Sequence, residues 1–327
     1  MKSVPLLITA FLLLTGCNVL EEEVLPGTLT SVSNIYGIDK ACGVWGDDTF
    51  VYLLERDGFF FSVSVDDSGS FTRLDHDMFN NKLRDVWGDG NFVYFANVGG
   101  GVHTYSVDPA GHFTHEATAS SINDAYSVWG DGNFIYVANG RVGVSSFSVD
   151  SNGQLTLIDS DKQGSGPSTV LSVWGDGKFL YAAYGSMGIH SYSVDASGNL
   201  THLDSDDPND GYARRVWGDG NFIYLANGYG GLHSYSVDTS GKLTHIDVWD
   251  LDDSYATGAS GVWGDGSYLY LANSKDGFHS FSVDSSGYFT HLDSIENEYG
   301  EANAVWGDVN FIYLANWDQG IEVFRVE

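Results

Sequence analysis

The chain has 327 residues, of which 14 are basic and 44 acidic, so its formal charge at pH 7 is −30. This charge excludes nucleic acid and anionic lipid headgroups as partners because both would be repelled, but it leaves cations, cationic peptides and neutral sugars open. The two cysteines, Cys17 and Cys42, are too few for a disulfide framework. The fold must therefore be held together by a hydrophobic core.

The first residues predict an export signal. Lys2 precedes an apolar run over residues 4–14, which is too short to span a bilayer but has the length of a signal-peptide core. The run ends in "LTGC", which resembles the lipobox of bacterial lipoproteins. The resemblance implies a signal peptide over residues 1–16, acylation of Cys17 and anchoring in the cell envelope, at the outer membrane where there is one, since Asn18 is not Asp. The alternative is an ordinary secretory signal with a chance cysteine.

One short sequence, "VWGDGNFIYLANG" at residues 216–228, recurs along the whole chain. Its tryptophans are spaced by 42, 42, 45, 43, 46 and 43 residues, and every unit contains four runs rich in Val, Tyr, Phe, Thr and Ser. A period in the low forties with four strands per unit is typical of propeller blades. We therefore predict an all-β, seven-bladed β-propeller of four-stranded antiparallel blades, in which the tryptophans fill the space between blades. The repeated tryptophans are Trp45, Trp87, Trp129, Trp174, Trp217, Trp263 and Trp306.

The fifth unit shows the predicted strands of one blade. Strand A is "YARRVWG", strand B "NFIYLAN", strand C "GLHSYSVD" and strand D "KLTHIDV". Asp219-Gly220 predicts a tight turn with positive φ between strands A and B. The sequence "DTSG" at residues 238–241 predicts the turn between strands C and D.

The count of D strands predicts how the ring closes. Six D strands follow their C strands, but the chain ends at "GIEVFRVE", a strand C with no strand D behind it. A seventh D-type sequence, "GTLTSVS" at residues 27–33, precedes the first strand A. We predict that it completes the last blade as its outermost strand, which removes an open sheet edge. The domain organisation is then a signal peptide (1–16), an acidic tether (17–26) and one propeller domain (27–327).

The two faces of the predicted disc differ. The A–B and C–D turns on one face are short and repetitive, whereas the B–C and D–A loops on the other vary, as binding loops on a rigid scaffold do. The variable loops are acidic and aromatic, which suits a glycan or a protein partner. Their carboxylates also suit Ca²⁺, although no cofactor is required and a solvated acidic loop is the alternative. The candidate binding residues are Asp206, Asp207, Asp210, Tyr212, Tyr229, Trp249, Asp250, Asp252, Asp253 and Trp317, with Arg84, Arg214 and Arg215 at the channel mouth.

Eight of the ten histidines repeat at corresponding positions of strands C and D. This pattern places them on separate blades, so we predict cross-strand structural roles rather than a metal centre. No nucleophile elbow, zinc-type spacing or phosphate-binding glycine loop is present, and the sequence assigns no catalytic residue.

The segment "FIYLANGYGGLHSYSVDTSGKLTHID" resembles two propeller families over residues 27–327. One is the LVIVD-repeat surface propellers of bacteria, and the other is the lactonase-like (YVTN-type) propellers. The resemblance implies a seven-bladed ring and, for the second family, lactone hydrolysis. The strand A entries here lack the Pro-Arg of that family, so we rank a lipid-anchored, non-enzymatic binding scaffold first. The alternatives are a lactonase-like hydrolase, which a metal ion would assist, and a purely structural envelope component.

Overall fold

The computed structural model describes residues 25–47, 49–164, 168–250, 258–296 and 300–326. Its strands form seven four-stranded antiparallel sheets arranged as a ring, which confirms the predicted all-β, seven-bladed propeller. None of the described residues belongs to a helix long and apolar enough to cross a membrane. The predicted signal peptide over 1–16, Cys17 and most of the tether at 17–26 lie outside these residues.

Twenty-eight strands make up the ring. Blade 1 consists of β2–β5, blade 2 of β6–β9, blade 3 of β10–β13, blade 4 of β14–β17, blade 5 of β18–β21, blade 6 of β22–β25, and blade 7 of β26–β28 with β1. In each blade, strands A to D are arranged in that order from the central channel to the outer edge. The strands are β1 (Leu29–Ile35), β2 (Ala41–Gly46), β3 (Val51–Glu55), β4 (Phe59–Val65), β5 (Phe71–Met78), β6 (Lys82–Gly88), β7 (Val93–Val98), β8 (Gly101–Val107), β9 (Phe113–Ala119), β10 (Ser127–Gly130), β11 (Ile135–Ala138), β12 (Val144–Val149), β13 (Leu155–Asp161), β14 (Ser172–Gly175), β15 (Leu180–Ala183), β16 (Ile189–Val194), β17 (Leu200–Asp206), β18 (Arg215–Gly218), β19 (Ile223–Ala226), β20 (Leu232–Val237), β21 (Leu243–Trp249), β22 (Gly261–Gly264), β23 (Leu269–Ala272), β24 (Phe278–Val283), β25 (Phe289–Ile295), β26 (Ala302–Gly307), β27 (Ile312–Asn316) and β28 (Gly320–Val326).

The first strand of the propeller closes the ring, as predicted. Strand β1 pairs antiparallel with β28, from Leu29 opposite Val326 to Ile35 opposite Ile321. It is also bonded to blade 6, because the Leu29 N–H donates to Asp293 Oδ2 at 2.8 Å. Blade 7 is therefore built from both ends of the described chain, and no blade is left with an unpaired outer position.

The burial of each strand follows its place in the blade. The four residues of β19 in blade 5 are all buried, because a B strand is covered by a neighbouring blade on both sides. The outermost strand, β21, instead mixes buried, half-buried and exposed residues. Separate hydrophobic clusters fill the spaces between neighbouring blades, so each sheet becomes stable only beside the next one.

The seven repeated tryptophans form an unbroken aromatic ring around the channel. Each tryptophan lies 6.2–6.5 Å from the next between ring centroids, with the planes tilted by 45–48°. Each also lies on the glycine of the next "VWG", where a Cβ would approach the indole of the preceding blade to within 2.6–2.9 Å. This explains why Trp and Gly recur together, and it agrees with the predicted role of the tryptophans between blades.

The A–B turns differ from the predicted geometry. In blade 5 Gly220 has a φ of +89°, but Asp219 does not have a positive φ. The only described residues other than glycine that do are Lys40, Asn209 and Ser274. Asp219 instead uses its side chain: Oδ1 accepts the N–H groups of Asn221 and Phe222, and Oδ2 accepts the Tyr224 hydroxyl. The aspartate recurs because it fixes the turn and holds the tyrosine that stacks on the ring tryptophan.

A pair of hydrogen bonds, here called the interblade clasp, joins the outer strands of neighbouring blades. In blade 5 the Ser234 hydroxyl of strand C donates to the carbonyl of Gly287 in blade 6. The Asp247 carboxylate of strand D accepts the N–H of Phe289. Both bonds recur at four further junctions. At the junction from blade 7 to blade 1, the Ser33 hydroxyl of strand D donates to the carbonyl of Gly69 instead.

Candidate anion-binding site

A ring of side chains surrounds the channel mouth on the face that carries the B–C and D–A loops. Its members are the residues three positions before each ring tryptophan. They lie together at the mouth because strand A runs in the same direction in every blade. With four further residues they line a cavity of about 400 Å³, a size typical of small-molecule sites. We call this cavity the arginine cup. It is lined by Cys42, Arg84, Tyr126, Leu171, Arg214, Ser260 and Asn303 of the ring, and by Arg56, Thr169, Tyr212 and Arg215.

Four of the seven arginines of the chain line this one cavity. Arg84, Arg214 and Arg215 are the residues that the sequence predicts at the channel mouth, and the structure brings them together there. Arg56 was not predicted. It follows strand β3 in the B–C turn of blade 1, where the alternation of a strand no longer indicates the direction of a side chain.

The positive charge of the cup is only partly balanced. Arg215 forms an ion pair with Asp85, with Nη1 and Oδ1 3.0 Å apart. Within the described part of the chain, no carboxylate lies within ion-pair distance of Arg56, Arg84 or Arg214. Three guanidinium groups thus stay uncompensated in a protein whose net charge is −30. An anion is the chemical group that would balance them.

Burial makes this charge costly. Desolvation lowers the pKa of Arg84, and the charge of the neighbouring Arg56 lowers it further by a smaller amount. The Nε atoms of Arg84 and Arg214 are buried and find no hydrogen-bond acceptor among the described residues. Burying a cation without a partner costs free energy, and a bound anionic ligand would offset that cost.

Aromatic side chains support two of the arginines. The guanidinium of Arg84 lies 5.6 Å from the ring centroid of Tyr126, and that of Arg56 lies 5.2 Å from the indole of Trp317. Both distances fall within the range of cation–π contacts. Trp317, predicted as a ligand-binding residue, therefore contacts an arginine of the cup. Tyr212, also predicted, lines the cup directly and is 37% exposed.

The floor of the cup is formed one layer deeper in the channel. Asp85 of blade 2 and Arg215 of blade 5 meet across the axis. They border a narrower space of about 110 Å³ that is otherwise lined mainly by the valines and tryptophans of the "VWG" repeats, with Ser127 and Ser172. Asp85 is fixed further by accepting the N–H of Val128. The ion pair therefore lies between the cup and the narrower part of the channel, where valines and tryptophans predominate.

The thiol of Cys42 is a poor nucleophile in this setting. Burial raises its pKa to about 12, and the nearby Arg84 and Arg56 only partly oppose that shift. Its Sγ donates to the carbonyl of Leu83 at 3.6 Å. Among the described residues that line the cup there is no histidine and no carboxylate, and Asp85 at its floor is occupied by Arg215.

The predicted acidic residues each make different local contacts. Asp210 accepts a hydrogen bond from Asn227 at 2.8 Å and lies 3.7 Å from His233 Nε2. Asp207 is exposed and accepts the N–H of Asn209 in a tight turn. Asp206 ends strand β17 and raises the pKa of Tyr235 through its charge, after the larger effect of burial.

The remaining predicted residues are not gathered into one surface. Trp249 is half-buried between blades, with its ring 4.8 Å from Phe281 and stacked on His291 at 5.3 Å. Tyr229 is 58% exposed and Asp250 is exposed. Asp252 and Asp253 lie outside the described residues.

The histidines form cross-strand pairs, as the sequence predicts. His190 and His202 approach to 3.0 Å, His233 and His245 to 2.9 Å, and His279 and His291 to 3.2 Å between ring nitrogens. In blade 2, Thr118 lies between the corresponding two histidines. Within the described ranges, no three His, Cys, Asp or Glu side chains converge closely enough to hold a metal ion.

The chain is similar in sequence to one protein family over part of its length. The family is described as Lactonase, 7-bladed beta-propeller, and its match covers residues 92–213, from strand β7 to the start of strand A in blade 5. No curated protein matched the chain.

Several solved structures share the fold. A provisionally named 6-phosphogluconolactonase from Bacteroides fragilis is 23% identical, with a TM-score of 0.65 over 84% of this chain and 86% of its own. A virginiamycin B lyase from Staphylococcus aureus is 12% identical, with a TM-score of 0.69 over 92% of this chain and 99% of its own. A protein from Lactobacillus plantarum is 19% identical, with a TM-score of 0.65 over 78% and 84%. The chain is thus a seven-bladed β-propeller with local sequence similarity, over residues 92–213, to the lactonase propeller family.

Proposed function

We propose that this protein is a binding propeller that holds a small anionic ligand in the arginine cup. The observation that carries the proposal is the meeting of Arg56, Arg84 and Arg214 at one cavity without a carboxylate partner in the described chain. A carboxylate or phosphate group would accept charge-assisted hydrogen bonds from these guanidinium groups. Such a ligand is small enough to enter the cup, whereas a polyanion would be repelled by the acidic surface.

The lining of the cup supports binding more than catalysis. Hydrolysis requires a base or a metal ion to activate water, and a nucleophilic route requires an ionised nucleophile. The pKa of Cys42 is raised to about 12, and Asp85 is held by Arg215. The residues that line the cup therefore supply cations, hydroxyl groups, an amide and aromatic surface, which are recognition groups.

Titration calorimetry with gluconate and with inorganic phosphate tests this function. We expect heat of binding for the wild-type protein that weakens as sodium chloride is raised, because the attraction is ionic. The double variant Arg84→Gln/Arg214→Gln should lose this binding. The matched control is Arg73→Gln, which removes an arginine of the outermost strand β5 that packs on Phe61. Absence of binding by the wild type, or equal binding by the double variant, would refute the function.

Lactone hydrolysis is a second candidate, favoured by the family match over residues 92–213. A lactone bearing an anionic group would enter the same cup. A panel of sugar lactones and acyl-homoserine lactones, assayed with and without Ca²⁺, distinguishes the two functions. Turnover that is lost in the Arg84→Gln/Arg214→Gln variant would establish the enzyme, and rates equal to spontaneous hydrolysis would remove it.

Two further elements of the function rest on sequence. The acidic and aromatic loops beside the cup suit a protein or glycan partner, and the lipobox-like "LTGC" suits anchoring through Cys17. We propose that the propeller is anchored to the cell envelope and binds its ligand there in the arginine cup. A Cys17→Ala variant should fail to incorporate radiolabelled palmitate and should leave the membrane fraction, whereas a Cys42→Ala variant should do neither.

A further inference from the structure

The arginines of the cup that lack a carboxylate partner among the described residues belong to blades on opposite sides of the channel mouth. Arg56 and Arg84 belong to the neighbouring blades 1 and 2, whereas Arg214 and Arg215 both belong to blade 5. In a ring of seven, blades 2 and 5 are three positions apart, which is the largest separation possible. We call Arg56 and Arg84 the first pole and Arg214 the second pole. Arg215 belongs to neither, because its guanidinium reaches across the channel to Asp85 of blade 2.

The surface between the poles is uncharged and mostly polar. On one side of the mouth lie Tyr126 of blade 3 with Thr169 and Leu171 of blade 4. On the other side lie Ser260 of blade 6 and Asn303 of blade 7. Hydroxyl and amide groups of this kind bind the hydroxyl groups of a ligand, and the phenol ring of Tyr126 offers a flat apolar surface.

Each pole has a guanidinium group that needs an anion. At the first pole, Arg56 and Arg84 are like charges close enough for one to depress the pKa of the other. At the second pole, Arg214 has no carboxylate partner among the described residues. One anionic group would therefore satisfy only one side of the cup.

Resting on the function proposed above, we infer that the cup selects ligands with an anionic group at each end of a hydroxylated chain. Sugar-derived dicarboxylates are the simplest members of this class. One carboxylate would contact Arg84 at the first pole, the other would contact Arg214 at the second, and the hydroxyl groups would meet Ser260 and Asn303. The cavity of about 400 Å³ falls within the size range of sites for small molecules.

A series of three six-carbon ligands tests the inference by calorimetry. Glucarate has a carboxylate at both ends, gluconate at one end, and glucitol at neither. We expect glucarate to bind about tenfold more tightly than gluconate or better, since the second contact forms within an existing complex. Glucitol should not bind measurably.

Single-pole variants locate the two contacts. In Arg84→Gln and in Arg214→Gln, glucarate affinity should fall about tenfold, whereas gluconate affinity should change by no more than about twofold because it uses the remaining pole. Thermal unfolding of each variant separates loss of a contact from loss of the fold, and Arg73→Gln should bind both ligands as the wild type does.

The outcomes separate the two proposals. If gluconate and glucarate bind equally, or if each variant weakens both ligands by the same factor, the two-pole inference is overturned while the anion-binding function stands. If neither ligand nor inorganic phosphate binds, both proposals are overturned.

Discussion

Asp85 and Arg215 are 130 residues apart in sequence, yet their side chains meet across the central channel with Oδ1 and Nη1 3.0 Å apart. They are the only ion pair among the described residues in which both side chains are less than a third exposed. The pair joins blade 2 to blade 5 and forms the floor of the arginine cup. It therefore links the stability of the ring to the charge of the candidate site.

Substitution of Asp85 should change stability and binding in opposite directions. Asp85→Asn keeps an acceptor for Val128 but leaves Arg215 without its counterion, so we expect the free energy of unfolding to fall by about 1–3 kcal/mol. The freed guanidinium adds a charge to the cup, so gluconate should bind several-fold more tightly. Urea denaturation and calorimetry measure the two effects, and the Asp85→Asn/Arg215→Gln double variant should lose the gain in affinity. Weaker binding by Asp85→Asn alone would contradict this account.

The junction between blades 2 and 3 lacks the interblade clasp. Thr104 and Ala117 occupy the clasp positions of blade 2, the Thr104 hydroxyl is buried without a partner in the described structure, and its methyl group faces Gly153. Thr104→Ser/Ala117→Asp should restore both bonds and raise the free energy of unfolding by about 1–2 kcal/mol, measured by urea denaturation.

The matching variant that removes a clasp is Ser146→Ala/Asp159→Ala at the junction between blades 3 and 4, where both clasp bonds are present. It should lower the free energy of unfolding by about 1–3 kcal/mol. If the restored junction is no more stable than wild type, the clasp is not a stabilising element of this ring.

The buried histidines should make the fold sensitive to mild acid. Burial, and then the charge of the paired histidine, lower the pKa of His190 and of His279 from 6.5 to about 4. The unfolded chain therefore binds protons that the folded chain does not, so stability is complete above pH 6.5 and is lost as the pH falls toward 4. Each histidine corresponds to about 3 kcal/mol over that range.

Urea denaturation at pH 7 and pH 4.5 checks this expectation. In His279→Gln the difference in stability between the two pH values should shrink, because one titrating group is gone. His112 is exposed, so His112→Gln should keep the wild-type difference. An unchanged difference in His279→Gln would show that other groups cause the acid sensitivity.

Strand β1 should be required for a stable ring. A chain that begins at Leu25 retains the pairing of Leu29 with Val326 and the hydrogen bond from Leu29 to Asp293. A chain that begins at Tyr36 leaves the edge of β28 unpaired, so we expect it to aggregate or to unfold at much lower urea concentration. Size-exclusion chromatography and urea denaturation distinguish the two chains. Equal behaviour would mean that three-stranded blade 7 suffices.

The number of blades and the closure of the ring could be predicted because the repeat itself forms the core. Every unit needs a Trp, a Gly and a Tyr at fixed spacing to pack against the next unit, so the period reports the architecture directly. The turn geometry was less accessible. Asp-Gly is typical of positive φ at both positions, but here the side chain of Asp219 fixes the turn through hydrogen bonds that only the three-dimensional structure shows.

The candidate site was predictable only in part. Arg84 and Arg214 stand at a repeated position of strand A, so their place at the channel mouth follows from the repeat. Arg56 lies in a B–C turn and has no such signal. Trp249 was expected on the loop-bearing face, but β21 extends to include it and pairs it with Leu232, which places its ring between blades. The predicted strand D ended one residue too early, at Val248, whereas the D strands of blades 3, 4 and 6 end at the position that corresponds to Trp249.

Closure by β1 also has a consequence for how the chain acquires its structure. Leu29 is synthesised among the first residues of the propeller and Val326 among the last, so their pairing has to wait until the last strand of the propeller has been synthesised. Contacts between such distant parts of a chain form slowly. Until they form, blade 7 exposes a sheet edge, and during that interval the nascent protein is vulnerable to association with other copies of itself.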